Sequence, residues 1–194
     1  MTVILAAGDF PKPGGEAWQA LLKAERIVAC DSAGDEAKAK GFDRIVTVGD
    51  GDSGTVDVQM PDQDTNDLQK AYRYCALNGW HEDLVVVGAT GKREDHTLGN
   101  LFFALDLGLK VITDFGVFHP LSPRKNPVSI KAKPGQPVSV FAPYLDTRIE
   151  SKGLKWPLGQ VKLDNLYRAT LNRATGTLLE FTTTERAFVY VAYA

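Results

Sequence analysis

The amino-acid sequence predicts an α/β domain followed by a β domain. Up to about residue 115, short apolar segments alternate with segments of helical periodicity. Beyond that point helical periodicity largely disappears, and short β-rich segments follow, separated by Pro and Gly. With 194 residues, 44% of them hydrophobic, the chain can form one large domain or two small ones around a real core.

The first part contains five predicted strands and four predicted helices. The strands are continuously apolar, which is typical of parallel strands covered on both faces. In chain order the strands span residues 2–7, 26–30, 44–48, 84–87 and 110–113, and the helices span residues 16–24, 36–40, 64–77 and 97–107. We therefore expect residues 1–115 to form a Rossmann-like parallel sheet with flanking helices.

The second part, residues 116–194, is predicted to be rich in short strands. These strands span residues 128–132, 137–142, 148–151, 178–184 and 187–192. A loop is expected at 120–127, where three prolines occur. Such spacing favours a small antiparallel sandwich or barrel.

Bulk composition argues against several classes of partner. The net charge of −2 gives no support for nucleic acid or an anionic membrane as a partner. No apolar run approaches the ~20 residues that cross a bilayer. The first residues resemble a strand rather than a signal peptide, so we expect a cytoplasmic protein. Cys30 and Cys75 lie in apolar stretches and are too far apart for a zinc knuckle.

Aspartates follow the second and third predicted strands. Asp31 comes directly after the second strand, and Asp50 and Asp52 lie in a glycine-flanked turn, 49–54, after the third. Ligands of open α/β sheets bind beyond the carboxyl ends of the strands. Two aspartates separated by one residue can direct both carboxylates at one Mg²⁺, which prefers oxygen ligands. An ordinary Asp-Gly turn has the same composition, so this segment alone leaves both interpretations open.

A third acidic segment, 61–67, leads into a predicted helix. Asp64 or Thr65 could be a plain N-cap there, with acids favoured by the helix dipole. One cap does not explain three aspartates and Gln63, however. Clustered like charges repel unless a cation is present. Three acidic loops at one edge of a sheet therefore favour a metal site.

The fourth predicted strand is followed by a glycine-rich basic segment, 88–97. Gly88 and Gly91 permit close approach of backbone N–H groups to a ligand, while Lys92 and Arg93 bring positive charge. A helix starting near Asp95 adds a dipole that favours phosphate. The GxxxxGK[ST] spacing of a Walker loop is absent, and a structural turn also fits the segment.

These segments, taken in order, resemble the thiamine pyrophosphokinase family. The resemblance lies in C-D-S-A at 30–33, G-D-G-D-S at 49–53, D-Q-D-T-N-D-L-Q-K-A at 62–71 and G-A-T-G-K-R-E-D-H-T-L-G-N-L at 88–101. The segment G-L-K-W-P-L at 153–158 is similar to the aromatic-proline segment of the family's second domain. The likeness thus extends over nearly the whole chain.

The resemblance implies a magnesium-dependent enzyme that transfers pyrophosphate from ATP to the hydroxyl of thiamine, giving thiamine diphosphate and AMP. It implies a homodimer whose site is shared between subunits. Residues 1–115 would bind ATP and Mg²⁺, and residues 116–194 would form a β-sandwich for thiamine binding and dimerisation.

The resemblance also assigns roles to particular residues. The implied metal ligands and catalytic residues are Asp31, Asp50, Asp52 and Asp67, with Asp95 as a further catalytic residue. The implied ATP contacts are Gln63, Asp64, Thr65, Thr90 and Arg93. The implied thiamine contacts are Asn172 and Thr170.

Several positions depart from the family pattern. Gly51 stands where the family has a larger apolar residue, Ser32-Ala33 where it often has Gly-Gly, and Leu171 where it usually has Ser before Asn. Two other functions remain open from the sequence. One is pyrophosphoryl or nucleotidyl transfer to another small alcohol, such as a pterin, and the other is a non-catalytic nucleotide or metal sensor.

Overall fold

The protein consists of two compact units. The structure, a computed structural model, describes residues 1–52 and 55–193. One unit is Met1–Ala104 with Val111–Asp114, and the other is Leu105–Lys110 with Phe115–Ala194. Across the described residues, every helix is too short or too polar to span a bilayer.

The first unit is built from alternating strands and helices, as the sequence predicts. Its elements in chain order are β1 (Thr2–Leu5), α1 (Glu16–Lys23), β2 (Arg26–Cys30), α2 (Ser32–Ala39), β3 (Ile45–Gly49), β4 (Val58–Gln59), α3 (Asp67–Leu77), β5 (Leu84–Val87), α4 (Glu94–Leu107) and β6 (Lys110–Ile112).

The strands of this unit follow the order β6-β5-β1-β2-β3-β4. β1 pairs in parallel with β2 and with β5, and β3 pairs in parallel with β2 and β4. All four residues of β1 and of β5 are buried, which explains why both are continuously apolar. The predicted parallel sheet is confirmed, and the short β4 is a strand that the sequence did not indicate.

Helix α3 begins at Asp67, three residues later than predicted. The reason is a capping box at Asn66, whose side chain accepts a hydrogen bond from the Gln69 N–H at 2.9 Å. The Gln69 side chain in turn accepts one from the Asn66 N–H, also at 2.9 Å. Neither Asp64 nor Thr65 is the N-cap. α2 begins earlier than predicted, at Ser32, and α4 begins at Glu94, one residue from the expected start near Asp95.

The second unit is a pair of antiparallel sheets. Its strands in chain order are β7 (Gly116–Leu121), β8 (Val128–Lys131), β9 (Pro137–Phe141), β10 (Thr147–Lys152), β11 (Val161–Leu163), β12 (Ala169–Arg173), β13 (Leu178–Thr183) and β14 (Ala187–Ala192). One sheet has the order β12-β9-β14-β7 and the other β11-β10-β13-β8.

Three of these strands were not predicted. β11 and β12 are short or polar, and β7 extends into the segment that its prolines indicated as a loop. Pro120 nevertheless stands in register with Phe188 of β14. A proline is tolerated in a strand where its missing N–H is not needed by the ladder.

Both sheets of the second unit contribute to one hydrophobic core. Ile149, Leu179 and Phe181 from one sheet, and Val138 and Val189 from the other, are at most 1% exposed and belong to the same cluster. Buried and exposed residues alternate along β10 and β13, as expected when one face of a sheet is covered. The expected β-sandwich architecture is confirmed.

Neighbouring leucines of β13 provide a test of this register. Leu179 is fully buried, whereas Leu178 is 50% exposed. Leu179→Ala should lower the free energy of unfolding by about 2–5 kcal/mol, because it leaves a cavity in the core. Leu178→Ala, the matched control, should cost less than about 1 kcal/mol. Urea denaturation measures both, and a larger loss for Leu178→Ala than for Leu179→Ala would mean that β13 is shifted by one residue.

Candidate active site

The ends of four strands of the first unit converge on one cavity of about 670 Å³. The cavity is lined by residues that follow β1, β3 and β5, by Cys30 at the end of β2, and by the beginnings of α3 and α4. Seven of the predicted site residues line it: Asp50, Asp52, Gln63, Thr65, Asp67, Arg93 and Asp95. Asp31, Asp64 and Thr90 do not line the cavity, although residues next to them in the sequence do.

Three aspartates from two strand ends form an acidic triad. Asp31, Asp50 and Asp52 each offer a carboxylate oxygen, and these oxygens lie within 4.8 Å of one another. The sequence predicted this grouping. Ser53 and Gly54, the end of the predicted acidic turn, lie outside the described residues.

Asp31 is the buried member of the triad. It is 2% exposed, and its Oδ1 is buried without a hydrogen-bond partner among the described residues. Its backbone lies at φ 38°, a conformation that costs a non-glycine residue about 1–3 kcal/mol. A Cβ at position 49 would overlap the Asp31 carboxylate, so Gly49 is required for this placement. Burial and the nearby charges of Asp67 and Asp50 raise the pKa of Asp31.

The turn that follows β3 uses glycine for a physical reason. Gly51 lies at φ 85°, in the left-handed region that favours glycine. The Asp52 N–H donates to Asp50 Oδ1 at 3.3 Å within this turn. The departure from the family pattern at Gly51 therefore accompanies a tight turn that brings two carboxylates to the triad.

Lys70 of α3 is the residue of this site that sequence reasoning missed. Its ammonium donates to Asp50 Oδ2 at 2.9 Å and to Asp67 Oδ1 at 3.3 Å. The hydrogen bond from Lys70 is the main cause that lowers the pKa of Asp50 to about 2. Burial by itself lowers the pKa of Lys70, but its bonds to the two carboxylates outweigh burial and raise it. The sequence did contain a signal for this role. Lys70 comes three residues after Asp67, and it lies among the apolar residues that α3 buries, such as Leu68 and Ala71.

The segment before α3 is organised by Asp62, a second residue not singled out from the sequence. Its carboxylate accepts hydrogen bonds from the Asp64 N–H at 2.9 Å and from Thr65 Oγ1 at 3.0 Å. Gln63 Nε2 donates to Asp50 Oδ2 at 3.4 Å. Gln63 thus contacts the triad through Asp50, while Asp64 is exposed and held through its backbone. ATP contacts by Gln63 and Asp64 remain a prediction.

The glycine-rich loop after β5 carries the basic side of the cavity. Arg93 donates two hydrogen bonds to Asp95, at 3.1 and 2.6 Å, and this lowers the pKa of Asp95 to about 2. Thr97 Oγ1 accepts from the Gly91 N–H at 3.1 Å and donates to the Arg93 carbonyl at 3.0 Å. Asp95 therefore orients Arg93, and Thr97 holds the loop.

The end of β1 supports this loop, a contribution that the sequence did not indicate. The Asp9 N–H donates to the Thr90 carbonyl at 2.8 Å. A Cβ at Gly91 would overlap the Asp9 carboxylate. Gly91 thus permits close packing between the two strand ends, besides its φ of 85°. The sequence-predicted Thr90 takes part through its carbonyl group.

In the second unit, Asn172 is a buried and well-bonded side chain. It is 5% exposed, and its amide donates to the Trp156 carbonyl at 2.7 Å and accepts from the Trp156 N–H at 3.2 Å. Its oxygen also accepts from the Arg173 N–H at 2.8 Å. Thr170 Oγ1 donates to the Tyr167 carbonyl at 2.8 Å. Thiamine contacts by Asn172 and Thr170 remain a prediction. The intramolecular hydrogen bonds of these two side chains would compete with such contacts.

Leu171, between these two residues, is the most exposed large apolar side chain of the second unit's strands. It is 84% exposed and lies at φ 61°, where β12 shifts its register against β9. The bulge directs Leu171 outward while Asn172 is buried. This explains how a serine-to-leucine departure is accommodated without disturbing the core.

Comparisons with known proteins agree in both halves of the chain. Residues 17–113 match the family model "Thiamin pyrophosphokinase, catalytic domain", and residues 116–190 match "Thiamin pyrophosphokinase, substrate-binding domain". A search of curated proteins found no significant match.

Solved structures share the fold at low sequence identity. Thiamine pyrophosphokinase from Bacillus subtilis is 18% identical with a TM-score of 0.78, and the match covers 100% of this chain and 99% of that one. A thiamin pyrophosphokinase family protein from Enterococcus faecalis is 16% identical with a TM-score of 0.82, covering 100% and 99%. Yeast thiamin pyrophosphokinase is 15% identical with a TM-score of 0.78, covering 98% and 85%.

The fold and the two family matches define the chain as an enzyme of the transferase class, and more narrowly as a kinase. It belongs to the thiamin pyrophosphokinase family, and its activity is that of a thiamine diphosphokinase.

Asp31 provides a test of the charge crowding in the site. Asp31→Asn removes a buried carboxylate that is repelled by its neighbours, so it should stabilise the protein in EDTA. A gain of about 1 kcal/mol would raise the melting temperature by ~2–4 °C. The control is Asp43→Asn, because the Asp43 side chain is 91% exposed. Differential scanning calorimetry that shows a lower melting temperature for Asp31→Asn would contradict the crowding.

Proposed function

We propose that the chain transfers the terminal pyrophosphate of ATP to the hydroxyl of thiamine, giving thiamine diphosphate and AMP with the help of Mg²⁺. The observation that carries this proposal is one cavity that combines Asp50 and Asp52 of the acidic triad with Arg93 of the glycine-rich loop after β5. Its volume of about 670 Å³ lies within the usual range for small-molecule sites.

The residues of the triad fit Mg²⁺. All three donors are carboxylate oxygens, the ligand type that Mg²⁺ prefers. The buried Oδ1 of Asp31, which has no hydrogen-bond partner in residues 1–52 and 55–193, is costly unless a cation compensates it. We propose Asp31, Asp50 and Asp52 as ligands, with Asp67 as a further carboxylate beside them. Bound there, Mg²⁺ would neutralise charge on the phosphate oxygens.

The reaction requires a bond between the thiamine hydroxyl oxygen and the β-phosphorus of ATP. The bond from that phosphorus to the oxygen bridging it to the α-phosphorus breaks, AMP leaves, and the hydroxyl proton is released. Arg93, oriented by Asp95, would neutralise charge on the transferred group. Because Asp50 and Asp95 both have a pKa of about 2, neither is suited to accept the proton early in the reaction.

Other residues of the loops would hold the nucleotide. Gln63 and Thr65 line the cavity and are proposed ATP contacts through their side chains. Asp64 and Thr90 complete the predicted set, with their backbone groups already fixed by Asp62 and Asp9. Since the reaction consumes ATP, we also propose a cytoplasmic location.

We propose that residues 1–115 handle ATP and Mg²⁺, and that residues 116–194 contribute to thiamine binding and dimerisation. The second unit exposes aromatic side chains that a flat ring or a second subunit could cover, with Trp156 54% and Tyr167 76% exposed. Sedimentation velocity at working concentration would test for a homodimer, and an active monomer would contradict a site shared between subunits.

Removing a charge from the triad should abolish turnover and leave the fold intact. Asp50→Asn and Asp52→Asn should each lower kcat on the order of 10²-fold or more, because each removes an electrostatic stabiliser. Mass spectrometry of products from ATP, Mg²⁺ and thiamine measures AMP and thiamine diphosphate directly. Circular dichroism provides the control for folding. Wild-type turnover by both variants at subsaturating Mg²⁺ would show that the metal lies elsewhere.

Replacing thiamine by a pterin alcohol in the same assay tests the other acceptor class. We expect AMP to be released when thiamine is the acceptor and not when the pterin is. The opposite result would identify a pterin alcohol as the acceptor.

Substitution of Asn172 can distinguish a role in thiamine binding from a purely structural role. Asn172→Ala should lower the free energy of unfolding by about 1–3 kcal/mol, because the Trp156 backbone loses its buried partner. If Asn172 also contacts thiamine, the KM for thiamine should rise about tenfold while that for ATP stays unchanged. Steady-state kinetics that show equal changes for both substrates would assign Asn172 to structure alone.

A further inference from the structure

Lys70 is a buried lysine in a site built of carboxylates. Its side chain is only 3% exposed, although it lines the same cavity as the triad residues Asp50 and Asp52. Burial of an ammonium group is costly unless it is paired and hydrogen-bonded. Lys70 meets this condition through Asp50, in the turn after β3, and Asp67, the first residue of α3.

The contacts of Lys70 tie the turn after β3 to the beginning of α3. Asp50 lies at the end of β3, and Asp67 is the first residue of α3. The ammonium bonds both carboxylates, at 2.9 and 3.3 Å. Without this cation, the two loops would present like charges to each other at close range.

The same contacts occupy the oxygen atoms of Asp50. Oδ2 accepts from Lys70 at 2.9 Å and from Gln63 at 3.4 Å, and Oδ1 accepts from the Asp52 N–H at 3.3 Å. Asp31 differs, because its Oδ1 has no partner among the described residues. A divalent ion that enters the triad must therefore share Asp50 with an ammonium group that is already bound.

We propose that Lys70 is a positioning residue that competes with the divalent cation for Asp50. It weakens binding of the bare ion, and in return it holds Asp50 and Asp67 in the orientation that turnover needs. The turnover part of this inference rests on the proposed function, whereas the competition for Asp50 does not.

Binding of Mn²⁺ in the absence of nucleotide and thiamine tests the competition. Mn²⁺ is a suitable probe because it shares the preference of Mg²⁺ for oxygen ligands. Lys70→Met replaces the ammonium by an apolar group of similar length. Electron paramagnetic resonance of free Mn²⁺ should show binding to Lys70→Met that is roughly tenfold tighter than to wild type, because one competing positive charge is lost.

Turnover should change in the opposite direction. We expect kcat of Lys70→Met to fall at least ~10-fold, because Asp50 and Asp67 lose the group that orients them. Lys70→Arg, which keeps the charge and the donors, should bind Mn²⁺ close to the wild-type affinity and recover part of kcat. Lys38→Met is the matched control, because Lys38 is 42% exposed and pairs weakly with Asp57 at 3.9 Å. It should leave Mn²⁺ affinity and kcat unchanged.

Two kinds of failure can be told apart. Unchanged or weaker Mn²⁺ binding by Lys70→Met, together with a lower melting temperature, would make Lys70 a structural residue and overturn the inference, while wild-type activity stands. Tighter Mn²⁺ binding by Lys70→Met with no thiamine turnover by wild type would support the competition and refute the proposed function. If Lys70→Met does not fold, Lys70→Gln is measured in its place with the same expectation for Mn²⁺ affinity.

Discussion

Repulsion between carboxylates gathered at one edge of a parallel sheet is the constraint on which the rest of the site depends. Asp31, Asp50 and Asp52 come together because parallel strands all end at the same edge. The buried ammonium of Lys70 offsets part of this repulsion. Gly49, which has no Cβ, leaves room for the carboxylate of Asp31. The remaining cost is visible in Asp31, which keeps a buried oxygen without a partner in the part of the chain that the structure describes.

The fold makes such a costly arrangement possible by fixing its surroundings. The last three residues of β2 and of β3, the strands that lead to the triad, are buried, and the fully buried β1 lies between β5 and β2. α3 is fixed at its beginning by the capping box of Asn66 and Gln69. Because burial and capping fix these elements, the loops between them can hold like charges close together. Strain at a site is maintained where the surrounding structure over-determines it.

The second unit differs from the first in how its polar side chains are used. Its core is apolar on both inner faces, and its polar side chains serve mainly to hold turns, as Asn172 does for Trp156. Exposed side chains such as Tyr167 and Leu171 lie on strands or turns that the core already fixes. This separation allows the outer surface of the unit to vary, as at Leu171, without changing the residues of the core.

The sequence alone determined the fold class and the acidic and basic loops, because apolar periodicity and residue type are local properties. It indicated β1, β2 and β5 from their continuous apolar runs, and it identified Asp31, Asp50 and Asp52 as a group from strand ends that must share one edge. The tertiary structure decided what depends on distant partners. The burial of Lys70 between two loops, the support of Gly91 by Asp9, and the strand β7 that contains Pro120 all require knowledge of what packs opposite. Pairings of this kind are absent from local sequence patterns, because burial and hydrogen bonding are set by residues far apart in the chain.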